Sequence, residues 1–301
     1  MLNALLTEFA AKVETTKGTL IAMTGTDAAM NVFDSEVLDN TQMIERRSQG
    51  TWYRLPFVPG AYAGAARARI ELSGSGSSGG VPLWATTLLA ACGLKNTAGS
   101  FAPTLLYDTE QTSISVAKYV NGKVRRLAGA MGTFTLNVQN GTNATIPSLD
   151  FELMGIFNSE ADVSLITPTR PTVKPSRGIT SLTIDTVATC VGSLTFALQA
   201  GVIMLPCNGT SGFKSAAITD FNPLLTINPE ESLVSDKDWL STMRNSSEVD
   251  IVTTFGASAN NTVTLTINNG YVQGREQLTE DQVRREGLRI SAANGFTLAF
   301  S

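Results

Sequence analysis

The chain of 301 residues contains no histidine. That one absence removes the commonest general base, a favoured metal ligand and the side chain that ordinarily titrates near neutral pH. Cysteine is scarce and odd in number: Cys92, Cys190 and Cys207 have no CxxC spacing and read as buried free thiols, not as a disulfide framework or a metal site. Charge is sparse too, with 16% Asp, Glu, Lys and Arg and a net charge of -4. Displacing counterions from nucleic acid needs concentrated Lys and Arg, so this balance argues against nucleic-acid binding. No apolar run approaches the length of a membrane span, and the N-terminus lacks the basic n-region and continuous apolar stretch of a signal peptide. The Asn-x-Ser/Thr sequences at Asn140, Asn143, Asn208, Asn245 and Asn260 then read as loop chemistry, in a protein made in a reducing cytoplasm.

What the chain has is apolar content, 43%, enough for a sizeable core. Much of it alternates with Thr and Ser: Phe134, Leu136 and Val138; Leu149, Phe151 and Leu153; Leu194, Phe196 and Leu198; Val263, Leu265 and Ile267. A period of two marks strands with one wet face, and Asn121-Gly122, Asn140-Gly141 and Asn269-Gly270 read as turns. The expected class is antiparallel all-β with a few short helices.

The clearest local pattern is Ala66–Gly93, a strand, a Gly/Ser loop and a helix. Pro82 suits the first helical turn, Gly93 suits the left-handed position past its end, and Trp84, Leu88, Leu89 and Cys92 share one face. Gly74–Gly80 reads as a flexible connector; it lacks the Lys-Ser/Thr of a P-loop and the GxGxxG spacing of a dinucleotide site. The N-terminal segment is amphipathic, with Leu2, Leu5, Leu6, Phe9 and Val13 on one helical face, and reads as an arm or helix.

Pro168–Gly178, with three prolines and no alternation, divides the chain. Residues 1–167 form one unit with the N-terminal arm, 168–178 a linker and 179–301 a second unit. Each unit offers strand, Trp-bearing helix and three further strands. In the second, the helix is expected over Asp236–Met243, capped by Ser235, with Trp239 standing where Trp84 stands. That matching order implies duplication. The tract Arg275–Gly287 mixes signs and reads as a solvated loop or short helix interrupting a hairpin. Glu230, Glu231, Asp236 and Asp238 read as a loop and helix start, and Arg46-Arg47 and Arg125-Arg126 as surface or interface positions.

Several phrases resemble the tail tube protein, or major tail subunit, of long non-contractile-tailed bacteriophages. LLTEFAAKVETTKGT (5–19) is similar to that family's N-terminal segment, and IELSGSGSSGGVPLWATTLLAACGL (70–94) to its most recognisable block. SISVAKYVNGKVRRLAGAMGTFTLNVQNG (113–141) and SLDFELMGIF (148–157) resemble its central strands. ITDFNPLLTINPE, DKDW and GASANNTVTLTI in the second half are similar in kind.

The resemblance implies a structural virion protein, not an enzyme, with no catalytic, cofactor-binding or metal residue and no cofactor. It implies tail-tube-like β-sandwich or barrel halves whose inner sheets complete a β-barrel between subunits. Copies would stack as rings around a tape-measure protein, between a tail terminator and distal tail proteins. The tube would assemble in the host bacterial cytoplasm and later pass double-stranded DNA without binding it specifically and without a membrane contact. Duplication favours a ring of three two-unit chains over a hexamer. The alternatives are a tail terminator or adaptor, the inner tube of a contractile tail, a carbohydrate-binding or adhesive β-sandwich, and a histidine-free hydrolase.

Overall fold

The computed structural model describes residues 6–48, 50, 52–104, 111–141, 145–175, 177–256, 258–280 and 282–301. Leu2, Leu5 and Asn143, named above, lie outside the described residues. Among these residues the fold is all-β and antiparallel with few short helices and no closed barrel.

In chain order the first set of strands is β1 (Thr7–Val13), β2 (Val32–Asp39), β3 (Met43–Arg46), β4 (Leu55–Pro59) and β5 (Ala63–Glu71). It continues with β6 (Leu94–Thr97), β7 (Ser100–Pro103), β8 (Ile114–Val120), β9 (Lys123–Gln139) and β10 (Ser148–Asp162). The segment 163–175 carries neither helix nor strand. The second set begins with β11 (Ile179–Ile184), β12 (Val187–Ala188), β13 (Val191–Ala197), β14 (Ala200–Pro206), β15 (Phe213–Phe221) and β16 (Leu224–Pro229). After helix α1 (Trp239–Arg244) come β17 (Glu248–Phe255), β18 (Val263–Glu280), β19 (Val283–Ser291) and β20 (Phe296–Phe300).

The two sets have the same connectivity. In the first, neighbouring strands run β1-β8-β9-β10-β5-β2; in the second they run β11-β17-β18-β19-β16-β13. Val32 stands opposite Ile70 in β5, and Val191 opposite Pro229 in β16, with the same number of residues between partners and a bulge directly after each pair. Both sets place a separate two-stranded hairpin between those strands, β3–β4 in one and β14–β15 in the other. The edges of the long central strands differ: β10 alone runs along one edge of β9, with two register shifts, whereas β19 and β20 share the corresponding edge of β18.

The helices repeat as well. Residues 83–91 are helical, with a π-wound turn at Ala85–Leu89, and Trp84, Leu88, Leu89 and Cys92 are all buried. Thr87 donates to the Leu83 carbonyl at 2.8 Å, and Thr242 in α1 donates to the Asp238 carbonyl at 2.8 Å. In each helix the bonded carbonyl belongs to the residue just before the tryptophan. The Trp84 ring meets Phe300 edge-on at 5.4 Å, so the helix of the first set seals against the last strand of the second.

One hydrophobic core runs through both sets, from Phe9, Ile70 and Phe134 to Phe196, Ile267 and Leu298. Burying an aliphatic or aromatic side chain contributes roughly 1.5–3 kcal/mol, so this shared core is the main support of the fold.

Several sequence expectations are corrected. The N-terminal segment is strand, not helix, over Thr7–Val13, paired with β8 from Thr7 opposite Val120 to Val13 opposite Ile114. Phe9 and Ala11 point to the core because strand pairing selects the period of two. Val124–Val138 is a strand as expected, within the long β9, and it forms a hairpin with β8 through Val120 opposite Lys123. Asn269-Gly270 is not a turn; Asn269, at φ 54°, lies in a bulge of β18 between the Val249 and Ile251 pairings. Arg275–Gly287 is not a loop interrupting a hairpin but the hairpin itself, paired from Arg275 opposite Leu288 to Glu280 opposite Val283. Helix α1 starts at Trp239, and its cap is Asp238, not Ser235: the Asp238 carboxylate accepts the Ser241 N–H at 2.9 Å. Cys92 is buried, but Cys190 and Cys207 are exposed.

Candidate assembly interface

The two repeats are joined edge to edge. Along one edge of β9, β8 occupies Lys123–Ala130; beyond it, β13 takes the remaining stretch from Ala197 opposite Thr135 to Ser193 opposite Gln139. Leu194 and Phe196 enter the core there, with Phe196 6.2 Å from Phe134 and 4.7 Å from Phe296. On the wet face, the Thr195 hydroxyl donates to Asn137 Oδ1 at 3.3 Å. This is main-chain pairing with an apolar underside, the most economical way to remove an exposed sheet edge.

The β14–β15 hairpin then folds over the outer face of β9. Ala216 and Ile218 are buried against Met131, and the Gln111 side chain exchanges two hydrogen bonds with the Ile218 backbone, at 2.7 and 3.0 Å. Ser215 passes so close to β9 that a Cβ built on Gly129 would lie 2.9 Å from the Ser215 Cα. Gly129, at φ 62°, is therefore fixed twice, by its backbone conformation and by its cover.

The pairings of β9 with β8 and β10 both slip around Gly129, and a carboxylate anchors this bulge. Glu14 accepts the Gly129 N–H and the Gly18 N–H at 2.7 Å, and the Ser113 and Ser115 hydroxyls at 2.6 and 2.8 Å. The ETTKGT and GAMGTF phrases thus meet at one point: the first supplies the acceptor, the second the donor. The equivalent bulge in the second repeat is Asn269, whose N–H donates to Asp250 at 2.8 Å. Asp250 stands on β17 where Ser115 stands on β8.

Among the described residues the counterparts of the joined surfaces carry no further strand. Among the described residues β2, the equivalent of β13, pairs only with β5 and ends the sheet. β18 pairs with β17 as far as Tyr271, and its remainder to Glu280 pairs on one side alone, with β19. The β3–β4 hairpin, the equivalent of β14–β15, exposes Met43, Ile44, Trp52, Tyr53, Phe57 and Val58. Large apolar side chains exposed together on one hairpin mark a contact surface.

The other residues singled out in the sequence fall into structural places. The Gly74–Gly80 loop is not a free connector. Gly74 N–H donates to Asn261 Oδ1 at 2.6 Å and Gly76 N–H to the Asn260 carbonyl at 3.0 Å, while Asn261 Nδ2 holds the Lys174 carbonyl. Asn260-Asn261 therefore clasps the loop and the connecting segment together. Glu231 pairs with Arg284 at 2.7 Å, Arg47 with Glu45 at 3.2 Å and Arg125 with Glu160 at 3.6 Å, all partly exposed. Asp238 is held below the usual carboxylate range by hydrogen bonds from the Ser241 side chain and backbone. At Asp27, burial pushes the carboxyl up, but hydrogen bonds from Thr24 and Lys12 bring it below its ordinary value. Burial alone pushes the Cys92 thiol far up, which leaves it inert.

Among the described residues no cluster of His, Cys, Asp and Glu is arranged to hold a metal ion, and no helix is long and apolar enough to cross a membrane. One groove, beside Trp239, is lined by Ile184, Asp185, Glu231 and Lys237. The missed signal was the pairing of repeats through their edges, which no local pattern encodes. The equal spacing of β2 to β5 and β13 to β16 could have exposed the hairpin inserts. No family model matches the chain, and no curated protein matches it.

Proposed function

We propose that the chain is a structural, non-catalytic subunit of a phage tail tube, acting by self-association into rings that stack around a lumen. The observation that carries this reading is the repetition of one sheet topology whose copies join edge to edge within the chain, leaving, among the described residues, a strand edge without a strand partner at both ends. A repeat joined head to tail is a heterologous contact, and such contacts build rings when the rotation closes. Three chains carrying two units each give a wall of approximate six-fold construction. The phrases that resemble the tail tube family supply the virion setting: assembly in a bacterial host cytoplasm, a tape-measure protein inside, terminator and distal tail proteins at the ends.

Double-stranded DNA passes such a tube without specific contacts. A wall dense in Lys and Arg would hold phosphates and retard it, so the lining surface is neutral to acidic in this reading. Electron microscopy of the purified protein tests the whole proposal. Hollow filaments with three-fold cross-sections are the expected result; a ring of six chains overturns the trimer, and soluble monomers that bind glycans on an array favour an adhesive module.

A further inference from the structure

The internal joint is a template for the joint between chains. We infer that β2 of one copy adds to the edge of β18 beyond Tyr271 in a second copy, with the β3–β4 hairpin lying over the outer face of β18 and β19, as β13 and β14–β15 do on β9 and β10. Among the described residues that edge has no strand partner on that side, and it is exposed over residues 276–279. The inference deepens the self-assembly reading above and rests on it.

The register follows from the sheet itself. Met154 in β10 lies opposite Ala65 in β5, and Ser291 in β19 lies opposite Leu224 in β16, at corresponding places in the two repeats. Going back along β10 and β19 by the same number of residues reaches Ser148 and Arg285, whose partners are Asn137 in β9 and Leu278 in β18. Asn137 faces Thr195 of β13. The residue of β2 that corresponds to Thr195 is Glu36, since Leu38 and Ala197 hold matching places opposite Ala65 and Leu224. Glu36 of one copy therefore faces Leu278 of the next, flanked by Ser35 opposite Thr279 and Val37 opposite Gln277.

Two further features fit this partner. Leu38 and Leu278, both 36% exposed, fall on the same stretch of the joint, and the apolar side chains of β3–β4 gain a surface to cover. The Ser35 carbonyl in β2 is meanwhile occupied by the Lys118 ammonium, so in the free chain a cation, not a strand, stands at that edge. Lysine at an edge strand is a common guard against premature pairing.

The test is a cysteine pair, Glu36→Cys with Leu278→Cys, in a chain whose exposed Cys190 and Cys207 are replaced by serine. Both new positions are exposed, so folding of the subunit is preserved. Directly opposed strand residues have Cβ atoms about 4.5–5.5 Å apart, close enough for a disulfide after modest adjustment. Oxidation should give covalent dimers and trimers between chains, with neither single variant doing so. Glu36→Cys with Gln277→Cys, on opposite faces, should link at least about tenfold less, because alternate side chains point away. Rings or filaments that form normally yet never link through 36 and 278 overturn the inference and leave the tube reading standing. A disulfide within one chain also overturns it. No rings and no links remove both. Independently, Ile44→Glu should raise the concentration needed for assembly by about tenfold or more without unfolding the monomer; unchanged assembly counts against the hairpin part.

Discussion

The bulge of β9 and the bulge of β18 occupy the same place in the two repeats, and the chain supports them differently. In the first, a buried glutamate from the preceding strand system gathers four donors, and a hairpin presses on a glycine. In the second, an exposed aspartate on the adjacent strand takes the bulge N–H directly, and an asparagine suffices where the glycine stood. The difference tracks burial. Where the β14–β15 hairpin covers the bulge there is no room for a side chain and no water, so every polar group needs an internal partner. Where the equivalent cover is absent, solvent does that work. The first bulge is built as an interior, and the second is left as an outer surface.

Substitutions can break this comparison. Trp84→Ala should cost about 4–5 kcal/mol in urea unfolding, since the ring is buried against Phe300 and its indole N–H donates to the Ser73 carbonyl at 3.2 Å. Trp239→Ala, in a smaller and partly cationic setting beside Lys237, should cost about 3 kcal/mol; equal losses would mean the two helices are seated alike. Next, Glu14→Ala should cost about 3 kcal/mol by stranding buried donors, against about 1 kcal/mol for Asp250→Ala. Gly129→Ala follows at about 2 kcal/mol, from strain at positive φ plus contact with Ser215, while Asn269→Gly should shift stability by less than about 1 kcal/mol.

The smallest effect concerns Glu71 and Glu230, which end β5 and follow β16 at equivalent positions. Burial raises the Glu71 carboxyl above its ordinary value, partly offset by a hydrogen bond from Asn31. A raised folded value means the group's contribution is complete below the unfolded carboxylate range and declines as pH rises through the folded value. Glu71→Gln should therefore match the parent near pH 3 and exceed it in stability near pH 7, read from melting temperatures across that range. Glu230→Gln, at an exposed site, should change stability by less than about 0.5 kcal/mol at pH 7. A gain at Glu71 that persists at pH 3 would assign its effect to packing instead of charge.

Much of this fold was legible in the amino-acid order. Phe134, Leu136 and Val138, or Leu149, Phe151 and Leu153, alternate because one face of each strand enters the core. The Trp84 helix announces itself through Pro82, Gly93 and a buried stripe. What failed to show were places where local chemistry serves two structures. Asn269 tolerates positive φ in a bulge as readily as in a turn, so Asn-Gly named the conformation but not its setting. Arg275–Gly287 lacks an apolar face because its inward side is occupied by polar groups, including the Arg275–Glu286 ion pair with Glu286 nearly buried. The N-terminal segment supports either period until β8 is present to select one. The candidate interface was the least legible part, since it depends on edges brought together only after both repeats have formed.

The joint between β9 and β13 has a mechanical consequence. Because the connecting segment keeps its two strands tethered, that seam closes at an effective concentration set by chain length and not by how much protein is present. In an assembly of such chains, dilution therefore acts on every second seam alone. Under load, the wall should part along those seams first, releasing intact two-unit pieces instead of single repeats.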